Sequence, residues 1–139
     1  MSALTTDTGW TTGFEGFVAA DAEVRLVTRY SDFRALLEIG AQRYLLTVTG
    51  GRVTLTPNPT FDDPWDFAVR GAPEAWDRLV ESDEPQYRDP LGMAFKGFMS
   101  VTGRITSDLV YEGNYQKLFA NLQAVHAILT RIRPYAKGA

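Results

Sequence analysis

Between Asp32 and Thr56 the chain alternates apolar and polar residues with a period of two, and two glycine-containing breaks divide that run. Phe33, Ala35, Leu37 and Ile39 alternate with Arg34, Leu36 and Glu38. After Gly40-Ala41, the residues Tyr44, Leu46 and Val48 alternate with Arg43, Leu45, Thr47 and Thr49. After Gly50-Gly51, Val53 and Leu55 resume the pattern. Successive side chains of a strand point to opposite faces, so this pattern marks half-buried strands. A Gly-Gly pair between two such runs is a strong local signal for a two-residue hairpin turn. A helix over 32–39, capped by Ser31 and stopped by Gly40, is the competing reading of the first run.

Pro57, Asn58 and Pro59 break the pattern, and Trp65, Phe67 and Val69 restart it against Asp66, Ala68 and Arg70. Residues 32–70 are therefore expected to form three hairpin-linked strands and one more. Ahead of them, residues 1–19 are expected to be a flexible segment, with Trp10 and Phe14 able to dock onto the body. Asp21 can cap a short helix over 22–29, although Val24, Leu26, Thr28 and Tyr30 also alternate. Beyond the sheet the period changes. Pro73 stands at a first-turn position where its missing donor costs nothing, and Ala75, Trp76, Leu79 and Val80 form an apolar stripe behind it. Residues 82–87 are expected to be a loop. Asp89-Pro90 opens a further helix bearing Leu91, Ala94, Phe95 and Phe98, and 99–105 reads as a last strand. Residues 108–133 carry Tyr115, Leu118, Phe119, Leu122, Val125, Leu129 and Ile132 at helical spacing, with Pro134 as the stop. The class is α+β: an antiparallel sheet of about five strands with helices packed on one face. The domain is expected to span 20–134, with 135–139 as a tail.

Composition narrows the chemistry. With 139 residues the chain is the size of one domain. It has no cysteine and one histidine, which leaves out disulfides, thiolate metal sites and any triad needing a second histidine. The net charge of −3 argues against a nucleic-acid partner, since such binding needs an excess of phosphate-neutralising charge. No apolar run approaches the roughly 20 residues of a spanning helix, and no export signal is visible, so a cytoplasmic location is the expectation. Phosphate loops and nucleophile elbows are absent, and no cofactor is implied.

Few residues could carry chemistry. His126 stands on the last helix, one turn from Leu122 and Leu129. It is either a proton-transfer group facing a cavity or an ordinary helix residue. Asp62, Asp63 and Asp66 could bind a cation or divide acid and base roles, but Asp62-Asp63-Pro64 also reads as a turn that launches a strand. The aromatic share is the more telling feature. Aromatic residues make up 12% of the chain. Phe33, Tyr44, Leu46, Trp65, Phe67, Trp76, Phe95, Phe98, Met99, Phe119 and Leu122, with His126 at the edge, should converge between sheet and helices. That convergence is either a solid core or an apolar ligand site.

Several stretches together resemble the sterol carrier protein 2-like domain, in its small bacterial form. They are Ala20-Asp21-Ala22-Glu23 ahead of the first strand, Arg43 to Val53 through Gly50-Gly51, and Phe67-Ala68-Val69-Arg70-Gly71 before Ala75-Trp76. Val101-Thr102-Gly103 before a helix with Asn121-Leu122 completes the set. The likeness spans about 20–132. Gly103-Arg104 departs from the family's frequent Gly-Asp. The resemblance implies a five-stranded antiparallel sheet covered by helices, with an apolar tunnel for a lipid-like ligand between them.

These readings lead to three functional expectations. The first is binding, and carriage, of a lipid or other hydrophobic small molecule. The second is a cofactor-independent isomerase, cyclase or lyase in the same cavity, which a titratable side chain buried among the aromatics, His126 or a tyrosine such as Tyr44 facing the cavity, would favour over carriage. The third is an accessory or interaction module that forms a homodimer through the open sheet face, suggested by Leu36 and Leu45 on the faces opposite their strands' main apolar sets.

Overall fold

Gly50 and Gly51 both adopt positive φ (54° and 87°), and the hairpin they close forms one side of the sheet. The computed structural model describes residues 9–81 and 109–137. The strands are β1 (Asp32–Ile39), β2 (Gln42–Thr49), β3 (Arg52–Pro57), β4 (Phe67–Gly71) and β5 (Val110–Gly113). The helices are α1 (Trp10–Ala19), α2 (Ala22–Thr28), α3 (Pro73–Glu81), α4 (Tyr115–Ala120) and α5 (Leu122–Ala136). Thus 32–39 is a strand and not the competing helix, and Asp21 caps α2 by accepting from the Glu23 and Val24 amides.

The sheet has five strands in the order β3-β2-β1-β4-β5. It is mixed, which corrects the expected all-antiparallel arrangement: β4 runs parallel to β1, with Ala35 opposite Phe67 and Leu37 opposite Val69. The reason is topological. β1 and β3 both run antiparallel to β2, so a chain leaving β3 that crosses to the far side of β1 without reversing must pair in parallel. Periodicity reports which face a side chain occupies and says nothing of strand direction.

All five of these helices contribute to one buried apolar cluster against one face of the sheet, where Phe33, Leu37, Tyr44, Leu46, Phe67 and Val69 point. Burial of apolar area at about 25 cal/mol per Å2 is the main stabilising term for such a layer. The other face carries a ladder of ion pairs. Glu38 Oε1 lies 3.3 Å from Arg43 Nε and 2.7 Å from Arg70 Nη1, and Arg70 Nε lies 3.2 Å from Glu112 Oε2. Leu36, Leu45 and Ala68 form a row across this outer face and are buried within the single chain. Leu36 and Leu45 therefore do not supply the exposed apolar surface on which the homodimer reading drew.

Three further differences concern the ends. Residues 10–19, expected to be flexible, form α1, and Trp10, Phe14 and Val18 sit at helical spacing in the core. The expected helix over 108–133 is instead β5, α4 and α5, broken at Asn121, whose backbone leaves helical geometry (φ −114°, ψ 21°). Pro134 lies inside α5, which continues to Ala136. The expected loop at 82–87, helix from 89 and strand at 99–105 lie outside the described residues.

Candidate functional site

The layer between sheet and helices is built from large side chains that the strand pleat aims inward. Phe33 on β1 and Phe67 on β4 stack with ring centroids 5.4 Å apart. Tyr44 and Leu46 follow on β2, and Leu55 on β3 continues the same face. Trp76, fully buried on α3, donates from Nε1 to the Glu38 carbonyl at 2.9 Å, so its indole satisfies its polar atom on the sheet. From the helical side α5 supplies Val125, Ile128, Leu129 and Ile132.

One end of this layer is aromatic throughout. Trp10 meets Tyr44 edge-on with ring centroids 5.3 Å apart, and Phe14 at 5.6 Å. Tyr135, near the end of α5, lies 5.6 Å from Phe14 and 5.5 Å from Phe17. Its hydroxyl donates to the Trp10 carbonyl at 3.2 Å, which ties the two ends of the described chain together. Such tilted and edge-on pairs are favoured over face-to-face stacking. Glu15 fixes α1 over the open edge of the sheet: its Oε1 accepts the Leu55 amide at 2.6 Å, on a strand with no further neighbour among the described residues.

The polar atoms of this aromatic end are treated unequally. Tyr44 Oη and Trp10 Nε1 are both buried, and among the described residues neither has a hydrogen-bond partner. The other fully or largely buried polar residues described are Thr11, Thr28 and Ser31, and none is ionisable.

Of the residues expected to converge, Phe33, Tyr44, Leu46, Phe67 and Trp76 are all buried in this layer, and Leu122 packs partly buried against it. Trp65, Phe119 and His126 do not join them. Trp65 precedes the first paired residue of β4 and turns to the outer face, where the Arg70 guanidinium sits 5.6 Å from its ring. Phe119 is exposed because the break at Asn121 shifts the phase of α4 relative to α5. His126 is exposed on α5, outside the buried stripe. Phe95, Phe98 and Met99 lie outside the described residues. Trp10 and Phe14 belong to the buried layer, although the sequence marks them only as able to dock; their spacing of four, continued by Val18, is the available signal.

The acidic cluster is structural. Asp66 Oδ2 accepts the Arg34 amide at 2.8 Å, and Asp63 Oδ2 accepts the Thr60 amide at 2.8 Å. Among the described residues no group of three or more acidic, histidine or cysteine side chains could hold a metal ion. None of their helices is long and apolar enough to cross a membrane.

No protein-family model matches the chain, and no curated protein sequence does. Solved structures do. A crystal structure of sterol carrier protein 2 superposes with a TM-score of 0.66 at 13% identity, covering 89% of this chain and 93% of its own. The solution structure of a conserved hypothetical protein from Thermus thermophilus, described as possibly a sterol carrier protein, also gives 0.66, at 14% identity, over 93% of this chain and 87% of its own. The ubiquinone synthesis protein UbiJ-SCP2 gives 0.57 at 13% identity, over 92% and 91%. At these identities the likeness concerns the fold: the chain has the architecture of a sterol carrier protein 2-like domain, as its sequence motifs implied.

Proposed function

We propose that this protein binds a lipid-like or other hydrophobic small molecule between the sheet and its helices, and carries it. The observation that supports this most is the character of the interior. The buried polar residues described are Thr11, Thr28 and Ser31 alone, none of them ionisable, and the aromatic end holds two polar atoms without partners among the described residues. Removal of ligand apolar area from water would supply most of the affinity, at about 25 cal/mol per Å2. The fold likeness to sterol carrier protein 2 agrees with this reading.

Enzymatic proton transfer is less well supported. It needs an acid or base held within reach of the reacting atom. Tyr44 is the buried titratable group in the layer, but no acid or base accompanies it among the buried residues described, and His126 is exposed. The test is organic extraction of the purified protein followed by mass spectrometry of the extract. Carriage predicts an apolar molecule recovered in near-stoichiometric amount, or taken up saturably when fatty acids, sterols or hydrophobic dyes are added. Absence of both contradicts it.

A further inference from the structure

We infer that the ligand is an uncharged apolar molecule with one hydrogen-bond-accepting oxygen, such as a ketone or ester carbonyl, and that Tyr44 Oη and Trp10 Nε1 receive that oxygen. This rests on the ligand-binding reading above and adds the chemistry of one end of the site.

A buried polar group without a partner destabilises the fold, and such groups in native structures call for an explanation. Here two occur on rings that touch, on side chains that are 1% and 2% exposed. Other aromatic residues of the layer show that the fold can satisfy such atoms. Trp76 Nε1 reaches the Glu38 carbonyl and the Tyr135 hydroxyl reaches the Trp10 carbonyl. Tyr44 and Trp10 come from unrelated parts of the chain, β2 and the first residue of α1, so their pairing is not a by-product of one element.

The chemistry of the pair selects the partner. An indole N–H only donates, and a phenol O–H can donate. The oxygen they receive must therefore accept. Its charge follows from the surroundings: the buried polar residues described are Thr11, Thr28 and Ser31, and none carries a charge. An ionised carboxylate would lose its hydration there without a counter-charge, whereas a neutral carbonyl loses far less. Two donors at one end of an otherwise apolar layer would orient a long ligand with its carbonyl toward α1 and its chain along the sheet.

The experiment uses three probes of equal chain length: methyl undecyl ketone, the matching alkane and the matching fatty acid. Each is titrated by displacement of a bound hydrophobic dye from the full chain and from Tyr44→Phe. The phenylalanine variant keeps the ring and removes only the hydroxyl. Expected are tighter binding of the ketone than of either other probe, a loss of about fivefold to tenfold in ketone affinity in Tyr44→Phe, and no change for the alkane. Trp10→Phe should lower the ketone-to-alkane affinity ratio in the same sense. Thermal unfolding without ligand supplies an independent readout: Tyr44→Phe should unfold at the same or a higher temperature than the parent chain. A lower unfolding temperature means the hydroxyl has a partner within the protein and overturns the inference. So does an equal effect of Tyr44→Phe on ketone and alkane, or tighter binding of the fatty acid. Failure of all three probes to bind the parent chain would sink the ligand-binding reading itself, and the inference with it.

Discussion

Arg131 on α5 donates from Nε to Asp21 Oδ2 at 2.8 Å, while the other oxygen of Asp21 accepts the Glu23 and Val24 amides that open α2. A second nitrogen of Arg131 reaches Glu23 Oε2 at 3.0 Å. One carboxylate thus begins a helix and fastens it to the helix that roofs the apolar layer.

The Arg131 hydrogen bond, followed by the Val24 amide, holds the Asp21 carboxyl below its ordinary value of 3.8. A carboxylate whose folded-state pKa is depressed stabilises the fold above its unfolded pKa. That contribution is lost as the pH falls through the folded value. Asp21→Ala should lower stability at neutral pH by about 1 kcal/mol, mostly through the lost cap, since ion pairs that solvent still reaches add little. The same variant should lose less stability than the parent chain between neutral pH and pH values below 3.8. Thermal unfolding followed by circular dichroism across that range checks both. A parallel pH dependence in the two proteins would contradict the account.

Glu15 is the residue that protects the sheet edge. Glu15→Ala leaves the Leu55 amide without its carboxylate and loosens α1, and should cost about 1.5–3 kcal/mol, the range for a hydrogen bond to a charged group. Glu15→Gln keeps an acceptor and should recover part of the loss. Urea denaturation gives the energies, and amide exchange at Leu55 should accelerate in the alanine variant. Unchanged exchange there would show that the edge is covered by other means.

Gly113 ends β5 at φ 116°, and a Cβ at this position would lie 2.8 Å from the Asp66 carbonyl oxygen and 2.9 Å from the Phe67 Cα. Both obstacles are backbone, so no rotamer change relieves them. Gly113→Ala should destabilise by about 2–3 kcal/mol through strain at a conformation that L-residues avoid. A midpoint within error of the parent chain in urea would show that β4 and β5 can separate without penalty.

The hairpin from Gln42 to Pro57 is legible in the sequence because two signals agree: the period of two and a Gly-Gly pair that accepts positive φ. The buried layer is legible where it lies on the strands, at Phe33, Tyr44 and Leu46, and at Trp76 on a helix with a clear stripe. Two physical effects hide the rest. β5 is four residues long, and its side chains are exposed or half-buried without alternation, so Val110 and Tyr111 pass as part of a helical pattern. Asn121 interrupts that pattern through its backbone, with Nδ2 donating to the Lys117 carbonyl, and no apolar spacing announces such a break. Phe119 and His126 are misplaced for that reason and because a helical stripe has edges. Burial at Tyr44 can be read from the pattern, but its unpartnered hydroxyl cannot, since that depends on what Trp10 brings from a separate helix.

The central claim is that an apolar ligand resides between the sheet and the helices. Methyl-resolved NMR during titration with methyl undecyl ketone tests it most directly. The account predicts saturable shifts at Leu46, Leu55 and Ile128, all buried in the layer, and none at Leu26, which is 56% exposed on α2. Shifts confined to Leu26 and other surface methyls, or no saturable shift at all, would contradict it.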